Sequence, residues 1–246
     1  AIAITGTNID LNGTTIKIAN GAGGNDSIAF TGAVDLHNDV TITAGASAGD
    51  DITFSSTVDG DGAGTRSLDL VAASADVGMS DDVGGTTTLN AFTVTSSAVT
   101  DLKDVKVTTG GIDVTASTRI DLNDTTYSAT GDAIDFRGAV DLVAGGGNID
   151  VSNTGGGDAN DVQFTSTIVD TGSDDTLTID VDGDGDVTLT GNIGGTALGN
   201  LNVEDGDTVT VGGTITLADS GSIDFGVTGD KLGTLLLNGA SMASHS

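Results

Sequence analysis

Four aspartates at alternate positions form the densest group of side chains in this sequence that could do chemistry: Asp180, Asp182, Asp184 and Asp186. Two of the three residues between them are glycines, which favour a tight turn. Carboxylate oxygens gathered on one turn are the hard ligands that calcium prefers. The sequence therefore predicts a candidate metal site at this turn, with Ca²⁺ as the cofactor that it would take.

The acidic turn does not complete an EF-hand. Such a loop needs a glutamate at its twelfth position, and Gly191 stands there when Asp180 is taken as the first. Two interpretations stay open: a cation held at this turn by the four side chains, and an acidic turn surrounded by water.

Paired carboxylates raise the question of an enzyme. Three adjacent pairs could supply the acid and the base of a glycosidase: Asp50-Asp51, Asp81-Asp82 and Asp174-Asp175. Other catalytic groups are scarce, because the chain has no cysteine and only two histidines. His37 follows Leu36 in a predicted surface turn, and His245 lies at the end of the sequence. We therefore expect no enzyme and no catalytic residue.

The charge of the chain limits its partners. Seven basic and 36 acidic residues give a formal net charge of −29. Nucleic acid is an unsuitable partner, since phosphate contacts need clustered Lys and Arg. An anionic membrane surface would repel this chain, and no apolar run approaches the roughly 18 residues of a membrane-spanning helix. We expect no membrane insertion.

A nine-residue stretch that occurs twice indicates which elements position these side chains. Residues 28–36 read Ile-Ala-Phe-Thr-Gly-Ala-Val-Asp-Leu, and residues 134–142 read Ile-Asp-Phe-Arg-Gly-Ala-Val-Asp-Leu. Apolar side chains at every second position are typical of a strand with one buried face, and Gly32 and Gly138 mark points where the chain can bend. The sequence is thus predicted to be a series of similar strand–turn units.

These units predict an all-β fold. Proline is absent, which fits a backbone that is mostly paired in sheet, and aromatics make up 3% of residues, which fits a narrow aliphatic core. A β-sandwich also has many short strands, but the long internal repeat favours a right-handed parallel β-solenoid, or β-helix. Coils of roughly 20–25 residues would give roughly ten coils, and at about 4.8 Å each they form an elongated rod on the order of 50 Å long.

The repeat also sets the predicted organisation. We interpret residues 1–246 as a single continuous β-solenoid, with internal copies at approximately 1–100 and 101–209, a partial copy at 210–239 and a tail at 240–246. The side chains predicted to face inward and stack in file are Ile28, Phe30, Val34, Ile52, Phe54, Ile134, Phe136, Val140 and Phe164, with Phe225 in an equivalent position. Each of Arg66, Arg119 and Arg137 is expected to neutralise a neighbouring aspartate.

Four segments of this pattern resemble a known family. They are residues 51–60 (Asp-Ile-Thr-Phe-Ser-Ser-Thr-Val-Asp-Gly), 68–72 (Leu-Asp-Leu-Val-Ala), 83–89 (Val-Gly-Gly-Thr-Thr-Thr-Leu) and 92–95 (Phe-Thr-Val-Thr). Together they are similar to one repeat of the filamentous-haemagglutinin-like adhesins, which are large secreted surface proteins of bacteria. The resemblance implies a parallel β-helix and an extracellular structural or adhesive role, and it implies no catalytic residues.

Composition and resemblance together favour an extracellular, cell-surface structural protein: the shaft of a bacterial surface fibre, filament or adhesin that assembles end to end. Its expected partner is itself, in a head-to-tail homopolymer, or further repeats of a longer parent chain. The alternative is a calcium-dependent surface-layer module, since such repeat proteins share the Gly/Thr/Asp composition. A polysaccharide-acting β-helix enzyme ranks third.

Overall fold

Alternating apolar residues form short strands throughout the chain. The computed structural model describes residues 1–18, 26–171, 174–182, 184–226 and 232–244. These residues contain 28 strands and no helix, and so none that could cross a membrane. In chain order the strands are β1 (Ile2–Leu11), β2 (Thr15–Lys17), β3 (Ile28–Leu36), β4 (Val40–Thr43), β5 (Ile52–Phe54), β6 (Val58–Gly60), β7 (Ser67–Val71), β8 (Val77–Met79), β9 (Ala91–Ser96), β10 (Val99–Leu102), β11 (Val105–Lys106), β12 (Ile112–Thr115), β13 (Arg119–Leu122), β14 (Thr126–Ala129), β15 (Ile134–Arg137), β16 (Val140–Leu142), β17 (Asn148–Asn153), β18 (Val162–Phe164), β19 (Ile168–Asp170), β20 (Thr176–Val181), β21 (Val187–Leu189), β22 (Ile193–Leu198), β23 (Asn200–Val203), β24 (Thr208–Val211), β25 (Ile215–Leu217), β26 (Ile223–Phe225), β27 (Thr234–Leu237) and β28 (Met242–Ser244).

The strands pair in parallel and form three faces of a solenoid. The first face holds the N-terminal halves of β1 and β3, followed by β5, β8, β10, β13, β16, β19, β22, β25 and β28. The second face holds the C-terminal halves of β1 and β3, then β6, β11, β14, β17, β20, β23 and β26. Val83 bridges β6 to β11. The third face is the ten-stranded sheet β2-β4-β7-β9-β12-β15-β18-β21-β24-β27.

The number of coils follows from the third face. Its ten strands mean that nine turns of the chain separate β2 from β27. This confirms the predicted all-β parallel solenoid and agrees with roughly ten coils; the right-handed sense stays a prediction. Coil length varies, since the coil that leads from Val140 to its neighbour Ile168 is longer than the coil that leads from Thr100 to its neighbour Ile120.

One inward file of side chains runs along each face, and nearly all its members are apolar. The first-face file is Ile2, Ile28, Ile52, Val77, Thr100, Ile120, Val140, Ile168, Ile193, Ile215 and Met242. The second-face file is Ile9, Val34, Val58, Val83, Val105, Tyr127, Val151, Ile179, Val203 and Phe225. The third-face file is Ile16, Ile42, Leu70, Val94, Val114, Phe136, Phe164, Leu189, Val211 and Leu237. These three files define the core.

The nine side chains predicted to face inward are all buried, which confirms that prediction. Their assignment to one file was wrong. Phe30 stacks on Phe54 in the first face, whereas Phe136 contacts Phe164 in the third face. Phe225 lies in the second face and is only half-buried. Because the coils differ in length, a shift from position 28 to position 134 moves the sequence from one face to another.

Aspartate side chains extend the backbone ladder between coils. The Asp76 N–H donates to Oδ1 of Asp51 at 3.1 Å, and the Val99 N–H donates to Oδ1 of Asp76 at 3.0 Å. Each of these residues directly precedes or opens a first-face strand. The carboxylate therefore satisfies an N–H of the next coil at the point where the ladder begins.

Gly32 forms the corner between the first and second faces, as the sequence predicted for a bend. Its φ of 125° is one that side chains other than hydrogen rarely adopt. A Cβ placed there would lie 1.7 Å from the carbonyl oxygen of Gly6 in the preceding coil. Gly138 lies at a different corner, between β15 and β16.

Both ends of the described solenoid carry strands with a single neighbour. We call β1 and β2 the N-terminal edge, and β26, β27 and β28 the C-terminal edge. Leu235, Leu236, Leu237 and Met242 on the C-terminal edge are 36%, 42%, 48% and 51% exposed. In the segment interpreted as a tail, β28 pairs with β25, and residues 245–246 lie outside the described residues.

Candidate functional site

The predicted metal site lies at a corner of the solenoid. Asp180 is the penultimate residue of β20 in the second face, and Asp186 directly precedes β21 in the third face. Asp182 and Asp184 lie on the turn between them and are exposed, whereas Asp180 and Asp186 are half-buried. Residue 183 is outside the described residues. The structure thus puts all four predicted ligands at one corner but in different surroundings.

Asp186 is engaged by the backbone. Its Oδ1 accepts the Thr208 N–H of the next coil at 2.9 Å, and its own N–H donates to Oδ1 of Asp161 in the preceding coil at 2.9 Å. This is the inter-coil arrangement of Asp51 and Asp76 on another face. The fourth predicted ligand therefore has a structural role at the start of a strand.

Asp180 is the centre of an acidic patch. Ile179 and Val203 are register partners on β20 and β23, so Asp180 and Glu204, the next residue in each segment, lie on adjacent coils. Burial raises the pKa of Asp180 to about 6, with further contributions from the charges of Asp182, Glu204, Asp150 and Asp205. We call these five residues the Asp180 patch. It concentrates negative charge that a proton or a cation would relieve.

The geometry of a metal centre is a separate question from crowding. Among the residues that the structure describes, no three His, Asp or Glu side chains form a group that could hold a metal ion. Calcium binding at Asp180, Asp182, Asp184 and Asp186 therefore stays a prediction, supported by charge crowding.

The paired aspartates weighed for catalysis serve the fold in two of the three cases. Asp50 is 1% exposed, and its carboxylate accepts the N–H groups of Asp26 at 2.7 Å and Ser47 at 2.8 Å. These backbone hydrogen bonds lower the pKa of Asp50. Asp175 is fully buried and accepts the Gly147 N–H at 2.9 Å. Both carboxylates stabilise turns between strands.

One acidic arrangement was missed by sequence reasoning. Asp101, Asp121 and Asp141 are register neighbours on three successive first-face strands. Desolvation and then the charge of Asp121 raise the pKa of Asp101. A shallow pocket of about 270 Å³ opens beside this file, and it is lined by Gly78, Met79, Ser80, Asp101, Lys103 and Asn123. Residues one full coil apart carry no local signature, so only the coil lengths bring them together.

The arginines compensate the stacked aspartates, as predicted. Arg66 Nε lies 2.8 Å from Asp61 Oδ1, and Arg119 Nε lies 2.5 Å from Asp121 Oδ1. Arg137 donates to Asp113 at 2.5 Å and also to Asp135, the register partner of Asp113. His37, predicted as a surface residue, is partly exposed and lies 3.4 Å from Asp61.

No family model, no curated protein and no solved structure matches this chain.

Proposed function

We propose that this chain is a structural rod: the shaft of an extracellular bacterial fibre or adhesin, which lengthens by joining end to end. The observation that carries the proposal is the continuity of the three inward files, which run from the N-terminal edge to the C-terminal edge. Each coil adds about one strand spacing to a filled core, so the fold produces length.

The surface chemistry supports a scaffold. Buried or backbone-bonded carboxylates such as Asp50, Asp175 and Asp186 stabilise the coils. Three arginines are paired with aspartates. The sequence resemblance of residues 51–95 to filamentous-haemagglutinin-like repeats supports the same role.

Electron microscopy of the native material, with immunogold labelling of intact cells, tests this proposal. We expect labelled filaments at the cell surface whose width matches one solenoid. Labelling confined to the cell interior would contradict the proposal, as would compact particles without an elongated axis.

A calcium-dependent surface-layer module is the second candidate, and the Asp180 patch favours it. Calcium bound by such carboxylates would reduce repulsion between like charges on adjacent coils. The two functions differ in assembly. Two-dimensional lattices that dissolve in chelator and re-form in calcium would support the module, whereas filaments that persist in chelator would support the shaft.

A further inference from the structure

We propose that the C-terminal edge of one copy pairs in parallel with the N-terminal edge of a second copy, in one defined register: Met242 on Ile2, Phe225 on Ile9 and Leu237 on Ile16. This inference rests on the proposed shaft function and specifies the joint by which the shaft would lengthen.

The C-terminal edge leaves the ends of all three inward files uncovered to some extent. Leu237 is 48% exposed and Met242 is 51% exposed, while Phe225 is half-buried. Their counterparts one coil earlier, Val211 and Ile215, are fully buried. The difference comes from the missing coil above them, because the strand register continues unchanged.

The N-terminal edge presents the complementary ends of the same files. Ile2 and Ile16 are half-buried, whereas Ile28 and Ile42, their neighbours in the next coil, are fully buried. Ile9, at the start of the second-face file, is 8% exposed. All six residues at the two file ends on the three faces are apolar, so no polar group would be buried at these contacts.

The edges also match in number and direction of strands. The C-terminal edge offers one strand on each face: β28 on the first, β26 on the second and β27 on the third. The N-terminal edge offers the two halves of β1 and then β2, on the same faces in the same order. A second copy therefore reproduces the coil-to-coil contact that each copy already makes internally along its length, and open strand edges of this kind recruit strands.

This contact uses different surfaces on the two copies. It is heterologous and does not close on itself, so repetition gives a linear filament in which every copy points the same way. A lateral or antiparallel association would not place the three files in line.

Charge substitutions on the inward and outward sides of one strand test the joint. Leu237→Lys buries a charge at the joint and should keep the 1–246 chain monomeric in sedimentation velocity at concentrations where the parent chain forms long species. Leu236→Lys is the matched control, because Leu236 is similarly exposed but is the register partner of the outward-facing Thr210. At the other edge, Ile16→Lys should block assembly, and Thr15→Lys, at an exposed position, should not.

Mixing the two blocked variants tests the polarity. Leu237→Lys retains a normal N-terminal edge, and Ile16→Lys retains a normal C-terminal edge. Each variant alone should sediment as a monomer, and an equimolar mixture should form dimers without longer species. Far-UV circular dichroism and thermal melting check that every variant remains folded.

Three results would overturn the joint: a parent chain that stays monomeric throughout the micromolar range, control substitutions that block assembly as strongly as the inward ones, or a mixture that contains no dimer. The shaft function fails separately. A monomeric but rod-shaped chain found at the cell surface would refute the joint alone, whereas assembly of a protein confined to the cell interior would refute the surface function alone.

Discussion

Phe30 and Phe54 lie on successive coils with their ring centroids 4.6 Å apart and their planes within 5° of parallel. The centroid separation is close to the spacing of neighbouring strands, about 4.8 Å. The strand ladder therefore sets the distance at which these rings stack. Phe136 and Phe164, with centroids 5.1 Å apart, form a second, more tilted contact in the third face.

Truncation of either stack should be costly. Phe54→Ala or Phe136→Ala should lower the free energy of unfolding by about 3–5 kcal/mol, because a fully buried ring leaves a cavity that rigid neighbouring coils cannot fill. Phe225→Ala, at a half-buried position, is the control and should cost less. Urea unfolding of the three variants measures the difference, and equal losses at Phe54 and Phe225 would contradict the assigned core.

Gly32→Ala should destabilise the first corner. The new Cβ meets the Gly6 carbonyl oxygen in a backbone conformation that disfavours side chains, and a cost of about 1–3 kcal/mol is expected from strain of this kind. Gly13→Ala is the matched control, since a Cβ there has nothing within 4 Å. Thermal melting of the pair checks the prediction, which a Gly32→Ala midpoint at or above that of Gly13→Ala would refute.

Asp180 should make the fold less stable as the pH rises toward neutrality. Its pKa is about 6 in the folded chain against an ordinary value of 3.8, so the folded state binds the proton more tightly, and stability falls as the pH rises from about 4 to 6. Asp180→Asn should flatten this slope and raise stability at pH 7. Urea unfolding at several pH values tests it, with the exposed Asp184→Asn as control. An unchanged slope in Asp180→Asn would assign the pH dependence to other groups.

Calcium should raise the melting temperature. An ion bound by the folded Asp180 patch alone stabilises the folded state by mass action. The comparison is between millimolar calcium and chelator at equal ionic strength, which keeps general screening of the −29 charge constant. Asp180→Asn should reduce the calcium increment. Equal midpoints for the parent chain in both solutions would leave the acidic turn as solvated surface.

Local alternation made much of the fold predictable. It placed Phe54 and Ile134 inside because a strand exposes every second residue to the same face. It did not show that the two nine-residue stretches occupy different faces, because the face depends on the lengths of all intervening turns. The alignment of Asp101 with Asp121 was hidden for the same reason.

The candidate site shows a related limit. The spacing of Asp180 and Asp186 correctly indicated a shared corner. It could not show that the Asp186 carboxylate accepts the Thr208 N–H, or that Glu204 lies on the coil next to Asp180. Both relationships join neighbouring coils, and a full coil of sequence separates the partners in each case.

The unequal coils have a mechanical consequence. The longer coil from Val140 to Ile168 and the shorter coil from Thr100 to Ile120 each advance the axis by the same single strand spacing, so extra residues widen the girth and leave the reach untouched. Insertions at the corners are therefore decoupled from the separation of the two ends, and surface loops can be lengthened at small entropic cost. The reach of such a molecule counts its turns, much as the height of a staircase counts its steps whatever their breadth.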